Sequence, residues 1–356
     1  MTKPEDLDAL RKEMEQINIE LLRLISRRGE LAERIFSVKE HNDMPLYTPE
    51  REMVMLDSLL EGNPGPYSGD TIRHLFNEIV AASHELMETR PDKVLKISRL
   101  RKKTDLVIPV RGHTVGQEPI LVAGPCAVES EEQMEQVASY LAGRGVRFLR
   151  GGAFKPRSSP YSFQGLGEEG LEILAAAARR HDMATVSEVL DTRHVELVSR
   201  HADILQIGAR NMYNYELLRE VGISGKPVLL KRGLSATIDE LLYAAEYIIA
   251  EDNDQIILCE RGIRTFEGQT RFTLDISAVP LLRQHSYLPV IVDVSHAAGR
   301  RDILAPLARA ALAAGANGLM VEVHPHPHRA RSDGQQQLDL DGFAQFLEET
   351  GLGQKK

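Results

Sequence analysis

A three-helix all-α domain followed by a (β/α)8 barrel is the fold that this 356-residue sequence predicts. Three observations predict it. Over residues 5–90 the apolar positions recur at steps of three and four, the period of a helix with a continuous seam. Beyond about Asp105, short apolar runs alternate with helical stretches eight times, the pattern of a closed parallel barrel of the TIM type. Between the two lies "PDKVLKISRLRKK", basic and polar, which reads as a linker. The expected domains are therefore 1–90 helical, 91–104 linker and 105–356 barrel.

The first helix carries its seam at Leu7, Leu10, Met14, Ile17, Leu21, Leu24, Leu31, Ile35 and Val38. One seam position is a cation, Arg28. Burying it unpaired is costly, so it should face an anion or a pocket. Lys39, eleven residues on, returns to the same face after about three turns. "PLYTPEREMVMLDSLL" opens a second helix, with Thr48 as N-cap and Pro49 in the first turn. "GNPGPYSGD" is a turn-rich break, and "TIRHLFNEIVAASHELME" is the third helix. Three helices with so long a first member bury little alone, which points to an intertwined dimer.

In the second region "DLVIPVRGHTVG" reads as a small hairpin. Eight strands follow: "PILVAGPC", "VRFLRGG", "ATVSEV", "DILQIGAR", "PVLLKRG", "QIILCERG", "LPVIVDVSH" and "GLMVEVH". "EEQMEQVASYLAGR", "EEGLEILAAAARRH", "TIDELLYAAEYIIAED" and "ILAPLARAALAAG" are the clearest of the intervening helices.

Composition narrows the function. A formal charge of -9 argues against nucleic acid or an anionic membrane as partner for the whole surface. No apolar run reaches the roughly 18 residues of a membrane span. The opening "MTKPEDLDAL" lacks the apolar core of a signal peptide. Two distant cysteines, Cys126 and Cys259, make no disulfide framework and fit a reducing cytoplasm. On this acidic background, local cations stand out.

Barrel chemistry sits at the C-terminal ends of the strands. Those ends supply Arg150, Arg210, Lys231 and Arg261 from four different strands, joined by Lys155 and Arg157 in the loop "RGGAFKPRSSPYSFQG". So many cations at one mouth call for one or two phosphates, or a phosphate with a carboxylate. The same rim offers Cys126, His296 and Glu322, followed by Asp333 in "SDGQQQ". A thiolate, an imidazole and two carboxylates suit a divalent transition metal. Glu188, Glu260, Asp293 and His324 also end strands. Cys259, inside its strand, reads as packing, and His324, His326 and His328 read mostly as a surface run.

Together "GPCAVES", "RGGAFKPRSSPYSFQG", "QIGARN", "LLKRG", "VDVSHAAGRRD" and "EVHP" with "SDGQQ", in this order over roughly 105–350, resemble the short-barrel type of 3-deoxy-D-arabino-heptulosonate 7-phosphate (DAHP) synthase. Residues 5–90 resemble the all-helical class of chorismate mutase, so the whole resembles a mutase–synthase fusion. The resemblance implies condensation of phosphoenolpyruvate with erythrose 4-phosphate, releasing phosphate. It implies that Cys126, His296, Glu322 and Asp333 hold a divalent metal, manganese first, with cobalt, iron and zinc as alternatives. Arg150, Lys155, Arg210, Lys231 and Arg261 would bind phosphoenolpyruvate. Lys155, Pro156, Arg157, Ser158 and Asp333 would bind erythrose 4-phosphate. Lys155, Cys126 and His296 would take part in catalysis, Lys155 as proton donor or charge stabiliser. "KPRS" argues against an octulosonate-phosphate synthase, whose loop carries Asn.

In the helical region the resemblance implies that Arg11, Arg28, Lys39, Arg51, Glu52, Ser83 and Met87 surround chorismate or prephenate, with Arg11 reaching a partner's site. Met87 departs from the family, which has Gln or Glu there, and Thr48 stands where some members carry an acid. Two readings stay open: a working mutase, or a regulatory module that binds prephenate or chorismate and inhibits the barrel. A homodimer or homotetramer is expected.

Overall fold

The computed structural model describes residues 6–42, 44–45, 48–88, 94–155, 159 and 161–352. The chain forms two compact units that divide between Val94 and Leu95.

The first unit is α1 (Leu7–His41), α2 (Pro49–Glu61) and α3 (Gly69–Glu88). The seam of α1 is not buried within the chain. Its nine residues, from Leu7 to Val38, are each 43–63 % exposed. Thr48 precedes α2 as expected, but its side chain makes no capping bond. Its hydroxyl instead accepts a hydrogen bond from Lys39 Nζ at 3.1 Å.

The second unit opens with the hairpin β1 (Ile108–Val110) and β2 (His113–Val115). The strands β3 (Ile120–Gly124), β4 (Phe148–Arg150), β5 (Ala184–Val189), β6 (Ile204–Ile207), β7 (Val228–Lys231), β8 (Ile256–Glu260), β9 (Val290–Asp293) and β10 (Gly318–Glu322) close into one parallel barrel, β10 pairing with β3. All but Ile120 of these strand residues are buried, which explains why the strands read as apolar runs without alternation.

The outer helices begin where the sequence supplies acceptors for their free N–H groups. Ser130 caps α4 (Glu131–Ala142), and Thr237 with Glu240 forms a capping box on α8 (Ile238–Ile249). The remaining helices are α5 (Glu168–Arg180), α6 (Val195–His201), α7 (Tyr215–Ile223), α9 (Ala278–His285), α10 (Val294–Ala298), α11 (Leu304–Ala313) and α12 (Leu340–Thr350).

Two readings need correction. The linker does not extend to 104. Ile97 is fully buried, its N–H donates to Glu246 Oε1 at 2.9 Å, and the Arg99 N–H donates to the His285 carbonyl at 3.0 Å. The basic side chains of this stretch hid an apolar anchor. Nor is His324 a surface residue. It is buried, with Nδ1 accepting the His326 N–H at 2.9 Å, while His326 and His328 are exposed.

Candidate active sites

At the C-terminal end of the barrel, Arg150, Lys155, Arg210, Lys231 and Arg261 line one cavity with His296 and Asp333. Four strands, β4, β6, β7 and β8, or the loops after them deliver these cations, so parallel closure alone brings together residues more than a hundred positions apart. Glycine makes two of the approaches possible. A Cβ on Gly124, at the end of β3, would stand 2.1 Å from the Arg150 carbonyl oxygen, and one on Gly208 would stand 2.0 Å from Glu188 Oε1.

Among the described residues, Cys126, Glu322 and Asp333 offer ligand atoms within 4.8 Å of one another. His296 Nε2 lies 3.4 Å from Glu322 Oε1 and 3.9 Å from Asp333 Oδ2. This donor set of sulfur, imidazole and two carboxylates fits a divalent transition ion. Burial, with Glu322 beside it, pushes the Cys126 thiol up to about 11, although Lys155 and Arg150 oppose the rise. A cation is the partner that would turn such a thiol into a ligand. Burial would raise the Asp333 carboxyl, but Arg271, His296 and Lys155 together hold it at about 2. Burial likewise opposes ionisation of Glu322, and His296 and Arg150 outweigh it. Asp333 adopts a left-handed backbone with φ 49°, a conformation that Asp tolerates better than most residues.

Lys155 Nζ donates to the Cys126 carbonyl at 2.9 Å and to its sulfur at 3.1 Å. Arg150 bridges the halves of the site, donating to Glu322 Oε1 and to the Pro125 carbonyl, both at 2.8 Å. Among the described residues, Arg150 Nε is buried without a hydrogen-bond partner, a donor directed to an anionic ligand. Pro156, Arg157 and Ser158 lie outside the described residues.

Several groups here escaped the sequence reading. Arg271 lines the cavity, pairs with Asp333 at 3.4 Å and donates to Gln336 Oε1 at 2.8 Å. Gln336 Nε2 donates to Glu322 Oε2 at 2.6 Å, and Gln337 Oε1 accepts the Cys126 N–H at 3.0 Å. The two glutamines thus tie the Asp333 loop to the other candidate ligands, and the glutamine run after Asp333 was the available signal. Asp293, placed at a strand end but given no role, accepts from His296 Nδ1 at 2.7 Å and pairs with Lys231.

In the helical unit a cavity of about 360 Å³ is lined by Arg28, Lys39, Arg51, Glu52 and Ser83, a size suited to a small organic ligand. Arg28 faces it as its seam position required, donating to Ser83 Oγ at 2.5 Å and the Ile79 carbonyl at 3.2 Å. Two expected members are not in the wall. Met87, half-buried, is not among the lining residues; α3 contributes Val80, Ser83 and His84. Arg11 lies on exposed surface near the N-terminal end of α1 and pairs with Asp8 at 3.3 Å. His84, which the sequence reading missed, sits 3.2 Å from Glu52 Oε1.

Both units match known protein families. The sequence model of the DAHP synthetase I family matches residues 106–353, and that of chorismate mutase type II matches residues 10–88. A phospho-2-dehydro-3-deoxyheptonate aldolase of Thermotoga maritima is 53 % identical over 254 residues, 71 % of this chain and 75 % of that protein. A 2-dehydro-3-deoxyphosphooctonate aldolase of Acidithiobacillus ferrooxidans is 34 % identical, over 60 % of this chain and 82 % of its own. A crystal structure of the Thermotoga maritima DAHP synthase superposes with a TM-score of 0.71 at 51 % identity, covering 74 % of this chain and 78 % of that one.

Proposed function

The chain belongs to the DAHP synthetase I family and carries a chorismate mutase type II domain, and on that premise we propose how its two sites work. The barrel condenses phosphoenolpyruvate with erythrose 4-phosphate. The observation that carries this reading is the convergence of Arg150, Lys155, Arg210, Lys231, Arg261 and Arg271 on one cavity beside the Cys126–His296–Glu322–Asp333 set. One substrate brings a phosphate and a carboxylate, the other a second phosphate, so the cations match the charge to be held.

Arg150, Lys155, Arg210, Lys231 and Arg261 hold phosphoenolpyruvate, with Arg271 added to them. Lys155, Asp333 and the segment Pro156–Arg157–Ser158 receive erythrose 4-phosphate. A divalent ion, manganese first and cobalt, iron or zinc otherwise, would be held by Cys126, His296, Glu322 and Asp333 and would supply Lewis-acid polarisation of the aldehyde. C3 of phosphoenolpyruvate forms the new bond to the aldehyde carbon, whose oxygen takes up a proton. Atom balance requires one water, added as phosphate leaves. Lys155, buried against Cys126, donates the proton or stabilises the charge.

The test is phosphoenolpyruvate consumption with either sugar phosphate, before and after chelation. Rapid consumption with erythrose 4-phosphate, lost on chelation and restored by manganese, is expected. Consumption with arabinose 5-phosphate alone would transfer the chain to the octulosonate reaction, and full activity after chelation would remove the metal.

In the helical unit, Arg28, Arg51 and Lys39 bind the chorismate dianion, and Lys39 stabilises charge developing on the ether oxygen. The same pocket supports a regulatory reading, in which prephenate or chorismate bound there slows the barrel. Met87 outside the cavity wall favours it, since no amide from that position faces the ligand. Chorismate loss and prephenate inhibition of phosphoenolpyruvate consumption separate the two. No chorismate loss with clear inhibition would leave a sensor alone, and loss without inhibition would leave an enzyme alone.

The exposed α1 seam supports a homodimer, or a homotetramer built from it, with Arg11 serving a partner's cavity. A cytoplasmic setting agrees with two free thiols. Among the described residues no helix is long and apolar enough to cross a membrane.

A further inference from the structure

Asp293 ends β9 with its side chain fully buried, and it serves two residues with different tasks. Its Oδ2 accepts from His296 Nδ1 at 2.7 Å, and its Oδ1 accepts the His296 backbone N–H at 3.0 Å. The same Oδ2 pairs with Lys231 Nζ, whose side chain is 5 % exposed and lines the substrate cavity. With Nδ1 engaged as donor, the lone pair of His296 is fixed on Nε2, which looks toward Glu322 and Asp333.

We infer that Asp293 is a positioning residue that couples the metal half of the barrel site to its anion half. The inference rests on the reading above, that a divalent ion takes His296 Nε2 and phosphoenolpyruvate takes Lys231. One buried carboxylate oxygen is shared by two donors, so what one donor takes the other loses. An anionic ligand that draws the Lys231 ammonium toward itself leaves more of the Asp293 charge to the His296 N–H, which makes Nε2 a better ligand. A cation on Nε2 makes Nδ1–H a stronger donor to Asp293 and loosens its hold on Lys231. Both changes favour joint occupancy, and linkage requires the two enhancements to be equal.

The test measures Co²⁺ affinity of the full chain, read from the cobalt–thiolate absorption band, with and without saturating phosphoenolpyruvate. In the wild type, phosphoenolpyruvate should tighten Co²⁺ by about 5-fold or more. Asp293→Asn keeps the shape and should weaken Co²⁺ by about 10–100-fold, the usual cost of losing an outer partner of a ligating histidine, and the tightening should fall toward one. Lys231→Gln, which leaves Asp293 wholly to His296, should tighten Co²⁺ in the absence of phosphoenolpyruvate and likewise remove the coupling.

Opposite shifts in the two variants are what a merely structural role would not give. Retention of the full wild-type coupling in Asp293→Asn, or weaker Co²⁺ binding in both variants, overturns the inference. A wild type that gives no thiolate band at all would instead overturn the metal reading beneath it.

Discussion

In the barrel, Leu149, Ile204, Leu205 and Ile207 have no exposed surface, whereas Leu21 and Leu24 of α1 are 50 % and 63 % exposed. The candidate sites differ in the same way. In the barrel site, groups pair within one chain, Arg150 with Glu322, Lys231 with Asp293 and Cys126 with Gln337. The helical cavity gathers Arg28, Lys39, Arg51, Glu52 and Ser83 but not Arg11. A closed barrel removes its own edges and completes its mouth by closure. Three helices leave a stripe whose burial, at about 1.5–3 kcal/mol for each large apolar side chain, awaits a second surface. On this comparison the barrel groups pair within the chain, and the proposed dimer is what would complete the helical site.

The comparison can be broken first at the barrel. Cys126→Ala should lower phosphoenolpyruvate consumption by about 10²–10³-fold, the scale of losing one main electrostatic group, and leave chorismate loss untouched. A parallel fall in both rates would mean that the two sites are not independent.

The converse experiment places a charge on the seam. Leu21→Glu should dissociate the chain in sedimentation, because a symmetric interface would bury the carboxylate against its copy. Chorismate loss should fall by about 10-fold or more, the scale of one lost interaction of about 1.4 kcal/mol, while phosphoenolpyruvate consumption by the barrel stays near wild type. Mixing Arg11→Ala with Lys39→Ala chains sharpens the point. If Arg11 serves the partner's cavity, mixed dimers contain one intact site and regain activity that neither parent has.

A smaller effect is expected at Gln336→Leu, which strips Glu322 of one hydrogen bond at 2.6 Å. Metal affinity should drop by about 10-fold, with the melting temperature little changed.

The smallest concerns stability and pH. Arg232 joins Glu260 at 2.9 Å and Asp275 at 2.8 Å. Burial would raise the Asp275 carboxyl, but hydrogen bonds from Arg232 and Ser277 hold it below its usual 3.8. A carboxyl depressed by folding stabilises above its unfolded value, and that stabilisation is lost as pH falls through the folded one. Asp275→Asn should therefore cost about 1–2 kcal/mol at pH 6, and the gap should close below about pH 4 in urea titrations. Glu260, raised by burial, titrates in the opposite sense, so the difference between the two proteins is the readout.

Much of this was legible without coordinates. The eight runs from "PILVAGPC" to "GLMVEVH" carry the barrel because a strand buried on both faces must be apolar throughout. Strand ends then name Arg150, Lys231, Arg261, His296 and Glu322 because a parallel barrel sends all its C-terminal ends to one side. The three-four spacing of α1 names the seam and singles out Arg28. What stayed hidden depended on side-chain direction across long separations. Ile97 was masked by Lys96 and Arg99, Arg271 sits on a loop that no periodicity marks, and Met87 shares a face with Ser83 on paper yet does not line the same cavity.

The sequence by itself therefore determined the elements, their order and the chemistry available at the barrel mouth, since periodicity and strand ends are local properties. Only the tertiary structure decided which acceptor each donor takes: that Asp293 holds both His296 and Lys231, that Gln336 meets Glu322, and that His84 stands beside Glu52. Those choices depend on where closure sets residues tens to hundreds of positions apart, to within the few tenths of an ångström that a hydrogen bond resolves.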